Sequence, residues 1–215
     1  MDFESITATT VFDAFLLLLI GIGPKLALVP FLDVTAGMPL ATKRLVLRKM
    51  MTTAGVVAVI LLGLGGLLTH LLHFSTGALS VASGIILLVI AVRMVLGRDD
   101  LDAGRLSVQG KDPLQLAVVP LGVPYLLNPA GIVVLVTASA ESASFGVFAV
   151  FVAMLVAVLA LDVVVFRWAT RVSERLVENR MLVTEMVFGF LLAALAVQLA
   201  LNGLADVGVI SLTHQ

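Results

Sequence analysis

Cysteine is absent from the sequence. Disulfides, thiolate nucleophiles and Cys-based metal sites are therefore excluded. Charge is scarce: Asp, Glu, Lys and Arg make up 13% of the residues, roughly half the usual share. The net charge is -1. The basic residues sit in loops between apolar runs, so no nucleic-acid partner is expected. There is no Ser/His/Asp order, no Gly-rich phosphate loop and no HExxH motif, which argues against an enzyme, and nothing in the sequence implies a cofactor. His70 and His73 have a helical i, i+3 spacing but no third ligand, and His214 is remote, so no metal site is expected. Met1 to Thr10 carries Asp2 and Glu4 and no basic residue. The positive n-region of a cleavable signal peptide is missing there.

What the chain has is apolar length. Hydrophobic residues are 60% and the mean hydropathy is +1.17, against about 45–50% apolar in soluble domains. Six apolar runs of about 20 residues read as membrane spans. They cover roughly Val11 to Ala36, Thr52 to Leu72, Thr76 to Leu96, Pro113 to Ala138, Phe145 to Arg167 and Leu182 to Leu204. The whole chain, 1–215, is one membrane domain in contact with the lipid bilayer.

The basic residues orient it. Lys43, Arg44, Arg48 and Lys49 follow span one. Arg93, Arg98, Arg105 and Lys111 end or follow span three, and Arg167, Arg171, Arg175 and Arg180 end or follow span five. Loops one, three and five are then cytoplasmic by the positive-inside rule, and both termini lie outside. Trp168 falls at the cytoplasmic interface, a usual place for an indole.

The sequence also resembles itself. Gly84-Ile85-Ile86-Leu87-Leu88 aligns with Gly189-Phe190-Leu191-Leu192-Ala193 at an offset of 105 residues. The same offset puts Pro24 on Pro129 and Gly23 on Asn128. The expected fold is all-α: six transmembrane helices as two three-helix repeats, 1–105 and 106–215. An odd span count inverts the second, a mark of many secondary transporters. The rival explanation is chance, because segments of Leu, Val and Ala align easily.

Proline marks the expected site. Five of the seven prolines, at 24, 30, 120, 124 and 129, lie in spans one and four. Each removes a backbone donor and clashes with the carbonyl four residues back. Broken helices are tolerated in a membrane only where protein or a wet cavity covers the freed groups. Half-helix N-termini at Pro24 and Pro129 carry positive dipole ends that suit a carboxylate. The expected substrate-binding residues are Gly23, Pro24, Lys25, Asn128, Pro129 and Gly131, with Gly21 and Gly122 allowing close approach. The plainer alternative is kinking for packing, since Pro and Gly are frequent in membrane helices.

Lys25 is the one basic residue deep in a span. A cation at mid-membrane costs about 2.5–3.5 kcal/mol on insertion scales and usually faces a cavity; otherwise Lys25 stretches to an interface. Asp33 and Asp162 are the candidate coupling or ion-pair acids. Asp162 has two readings, a pair with Lys25 or a local partner in Arg167 or Arg171. Asp33 likewise pairs either at the site or with the basic loop. Gly63, Gly65, Gly66, Gly84 and Gly189 are expected to allow close helix packing, and Gln198 and Asn202 to hydrogen-bond between helices.

Gly23-Pro24-Lys25 through Pro30-Phe31-Leu32-Asp33, followed by Arg44 and Arg48, resembles the first span of the MarC family. Those are six-span inner-membrane proteins of bacteria and archaea. Pro120-Leu121-Gly122-Val123-Pro124 and Asn128-Pro129-Ala130-Gly131 resemble the family's fourth span. Gly189-Phe190-Leu191-Leu192 with Asn202-Gly203 is similar to its last. The resemblance covers nearly the whole chain. The chain departs from the pattern at Gly23, where Asn or Asp is usual, and at Lys25, where the residue is usually small or apolar. The resemblance implies a place in a bacterial or archaeal cell membrane. It also implies kinship with amino-acid exporters, some relatives being transporters of small neutral amino acids and others known only as related to multiple antibiotic resistance.

The expectation is secondary transport of a small solute, an amino acid in particular, by alternating access. The alternative is a non-transporting membrane protein with an assembly or regulatory role.

Overall fold

The computed structural model describes residues 8–96, 112–141, 145–172 and 178–211. The described residues are helical apart from turns and one isolated β-bridge. The elements are α1 (Ala8–Gly21), α2 (Pro24–Val34), α3 (Leu40–Leu72), α4 (Thr76–Leu96), α5 (Pro113–Val118), a π-helical turn (Leu121–Leu126), α6 (Pro129–Glu141), α7 (Phe145–Val172) and α8 (Glu178–Asp206). The junction of the expected repeats at residues 105 and 106 lies outside the described residues. So do Arg98, Arg105, Lys111, Arg175 and His214.

Among the described residues, four helices are long and apolar enough to cross a membrane: Leu40–Leu72, Thr76–Arg93, Phe145–Arg171 and Gly189–Asp206. At most a third of each apolar window is buried within the protein. The outward faces carry side chains such as Leu67, Ile85, Val164 and Phe190. Such surfaces require apolar surroundings. The segments expected as spans one and four are broken. Their pieces have at most 14 residues, about 21 Å at 1.5 Å per residue. That is short of a hydrocarbon core of about 30 Å.

Local chemistry sets these ends. Pro24 and Pro113 open α2 and α5, where a missing N–H costs nothing. Asp112 caps α5, its carboxylate accepting from Leu114 N at 2.9 Å. Thr35 closes α2, its hydroxyl donating to Phe31 O at 2.7 Å. His73 ends α3 in the left-handed region at φ 54°. The basic segment expected as the loop after span one is instead the first three turns of α3. Leu, Lys, Arg and Met are strong helix formers, and Lys43, Val46, Leu47 and Met50 supply a buried face.

The main core joins α1, α2, α3, α5, α6 and α7 around Phe31, Met50, Leu126, Leu155 and Phe166. Phe31 of α2 meets Phe166 of α7 edge to face, with ring centroids 5.2 Å apart. A smaller core holds Leu87 and Ala91 of α4 against Leu192 and Ala196 of α8. That antiparallel pair closes on small residues. A Cβ on Gly84 would stand 2.7 Å from Ala196 O, and one on Gly203 would stand 2.5 Å from Gly77 O.

Gly65 and Gly66 also serve packing, against Val136, Ser139 and Ala140 of α6. Gly66 N donates to Ser139 Oγ at 2.9 Å. Two expectations fail here. Gly63 has nothing within 4 Å of an added Cβ, because it faces outward. Gln198 and Asn202 bond to each other along α8 at 2.8 Å rather than across helices; they are one turn apart on an exposed face.

The contrast yields a test. Gly203→Leu should force α4 from α8 and cost about 1–3 kcal/mol or more, the range for overpacking. Gly63→Leu should leave stability unchanged or slightly raised, since Leu is the better helix former. Thermal unfolding of both variants in detergent measures this. Equal losses would contradict the packing described.

Candidate functional site

The two broken segments meet at their breaks. Ile22 lies opposite Leu127 in the antiparallel β-bridge. Asn128 N donates to Gly21 O at 3.0 Å, and Gly23 N donates to Leu126 O at 3.3 Å. From residue 22 to residue 127 is 105 positions, the offset found in the sequence. Exchanging Gly21 with Leu126 and Gly23 with Asn128 turns one hydrogen bond into the other. The helices that follow the breaks keep this spacing. α2 begins at Pro24 and α6 at Pro129, while α3 begins at Leu40 and α7 at Phe145.

Asn128 is the side chain that fastens the crossing. It is 3% exposed. Its amide nitrogen donates to Ile20 O at 2.8 Å, and its amide oxygen accepts from Gly131 N at 3.1 Å. One side chain thus holds the end of α1 and caps the start of α6. Gly21 and Gly131 lie backbone to backbone. A Cβ on Gly21 would stand 2.5 Å from Gly131 N, and one on Gly131 would stand 2.7 Å from the Gly21 carbonyl carbon. At Gly23 a Cβ would strike the carbonyl oxygen of Leu19. The cap position of α2 therefore offers no side-chain bond.

Of the expected site residues, Gly23, Pro24, Asn128, Pro129 and Gly131 come together at this crossing. Lys25 follows Pro24 in the first turn of α2 and has an exposed side chain. Asp33 is exposed near the other end of α2.

Asp162 is fully buried, and neither carboxyl oxygen has a hydrogen-bond partner. The expected alternatives, a pair with Lys25 or with Arg167 or Arg171, are not formed. Arg167 and Arg171 are exposed, whereas Asp162 belongs to the buried stripe Leu155, Val158, Asp162, Phe166 and Ala169 of α7. Phe166, one turn on, is the residue that touches α2. Among the described residues no group of three potential metal ligands occurs.

A second feature was not foreseen as a site. Lys43, Arg44, Arg167 and Arg171 surround a cavity of about 260 Å³ between the start of α3 and the end of α7. The sequence marks these residues for orientation and offers Arg167 and Arg171 as partners of Asp162, not as a binding cluster. Their convergence needs the helical extension of α3, which the apolar-run boundaries missed.

The comparisons with known proteins agree with the membrane architecture. The model of the MarC family integral membrane proteins matches residues 8–207. The UPF0056 membrane protein MJ1677 of Methanocaldococcus jannaschii is 27% identical over 176 residues, covering 81% of this chain and 85% of that protein. The UPF0056 membrane protein YvbG of Bacillus subtilis is 27% identical over 183 residues, covering 81% and 84%. No solved structure matches. The chain is a multi-pass integral membrane protein and belongs to the MarC family.

Proposed function

We propose that this protein is a secondary transporter of a small solute, an amino acid in particular, in a bacterial or archaeal cell membrane. Its halves, 1–105 and 106–215, act as inverted repeats that rock about the crossing of their broken helices. The observation that carries this reading is the reciprocal pair of hydrogen bonds around Ile22 and Leu127. A two-fold axis in the membrane plane through that bridge would interchange them. Inverted-repeat transporters bind their solutes at such a place, on discontinuous helices near mid-membrane.

The chemistry suits a zwitterion. The N-terminus of α2 bears a positive dipole end, has no side-chain cap and carries Lys25 in its first turn. It fits a carboxylate. A buried carboxylate without a partner is costly, and acids inside membrane spans mark ion and solute pathways. Asp162 therefore fits a coupling cation or the ammonium of the solute. When the crossing opens, the carbonyls of Ile20, Gly21 and Leu126 and the Asn128 amide become available to the solute.

Proteoliposomes loaded with mixed amino acids test this through counterflow of labelled ones. Wild type should exchange at least one of them. Lys25→Met and Asp162→Asn should each abolish exchange without loss of stability, because neither side chain makes a bond that the fold needs. Exchange that survives both changes would remove these residues from the site. A wild type with no flux for any amino acid would favour the assembly or regulatory alternative.

Asn128→Ala tests the clamp. It strands Ile20 O and Gly131 N in a buried place, a loss of about 1–3 kcal/mol. Denaturation in detergent measures this, and unchanged stability would mean that the crossing is held by other contacts.

Orientation has its own check. A reporter active only in the cytoplasm should work when fused after Asp112 and fail when fused after Gln215. The reverse pattern would invert the assigned topology.

A further inference from the structure

We infer that the cavity between the start of α3 and the end of α7 binds a phosphate-bearing anion, the headgroup of an anionic phospholipid. Four cations, Lys43, Arg44, Arg167 and Arg171, line about 260 Å³, and no carboxylate is among the described lining residues. No ion pair neutralises any of the four among the described residues. Like charges gathered from two distant segments repel one another. An anion between them relieves that repulsion.

Orientation alone does not account for this cluster. The positive-inside rule asks only for Lys and Arg in cytoplasmic loops. It does not ask that Lys43 be 9% exposed. Helix electrostatics account for half of the set. Arg167 and Arg171 sit at the C-terminal end of α7, where cations are favoured. Lys43 and Arg44 sit in the first turns of α3, beside the positive end of its dipole, where cations are disfavoured. The cap residue there is Pro39, which supplies no side-chain acceptor. The N-terminus of α3 thus adds positive potential to that of the side chains.

Depth selects a lipid over a free anion. Trp168 is 65% exposed next to Arg167, the placement of an interfacial indole. Leu40, also lining the cavity, is 54% exposed and offers an apolar surface to the glycerol and upper acyl carbons. The volume is below that of drug-sized sites, roughly 300–1,000 Å³, and fits one headgroup. Basic pockets between membrane helices on the cytoplasmic side commonly hold such headgroups. The inference does not depend on transport, so its failure leaves the transport reading untouched.

Native mass spectrometry of the purified protein with equal phosphatidylcholine and phosphatidylglycerol tests it. Wild type should retain phosphatidylglycerol preferentially. Lys43→Gln with Arg167→Gln should weaken that retention about 25-fold, near fivefold per cation. Arg44→Gln with Arg171→Gln, both exposed residues, should do the same and serves if loss of the buried Lys43 impairs folding. Arg48→Gln with Lys49→Gln removes the same charge outside the cavity and should change little. Equal losses in the cavity and control variants would overturn the inference, as would equal retention of the two lipids and no calorimetric binding of inorganic phosphate or glycerol phosphate. Displacement of phosphatidylglycerol by glycerol phosphate, sensitive to the cavity variants alone, would uphold the phosphate site and assign it a soluble ligand.

Discussion

Backbone groups freed inside a membrane must find partners within the protein, and the rest of this structure is arranged around that requirement. An unsatisfied N–H or C=O in hydrocarbon costs several kcal/mol. The helical path breaks twice, at Ile22-Gly23 and at Leu127-Asn128. Each break supplies what the other lacks: Gly23 N takes Leu126 O, and Asn128 N takes Gly21 O. Neither broken segment would be tolerated alone in lipid. The breaks are therefore stable only as a pair, which requires the two broken segments to meet there.

The pairing dictates the small residues around it. Strands of a bridge lie closer than packed helices do, so Gly21 and Gly131 have no room for side chains. Asn128 is compatible because its amide replaces two backbone partners at once. At the other break the cap is Gly23, whose place is closed to a Cβ by Leu19. The two half-helices are thus alike in backbone and unlike in chemistry. One is capped by its own amide, and the other has an open dipole end with a lysine beside it.

Much of this was legible because proline and hydropathy act locally. Pro24 and Pro129 announced the breaks, and the 105-residue offset made their surroundings equivalent, but that the two breaks touch at Ile22 and Leu127 appears only in the structure. The outward exposure of Lys25 was not legible, since a residue's direction around a helix depends on where the helix begins and what it packs against. The isolation of Asp162 was hidden for the same reason. The sequence offered Lys25, Arg167 or Arg171 as its partner, yet the stripe from Leu155 to Ala169 turns it into the core. The reach of α3 was missed because hydropathy finds apolar runs, and Lys43 to Lys49 is helical by propensity while being charged.

The charged end and the broken centre bear on one another through α7. That helix carries Asp162 in the core, Phe166 against α2, and Arg167 and Arg171 at the basic cavity within about two and a half turns. A cation reaching Asp162 would act on the same rigid helix that holds one wall of the cavity. α3 holds the other wall and runs from there past the crossing to its contact with α6 at Gly65. Any movement of α3 against α7 would change the separation of these walls. An anion bridging their ends would resist that change.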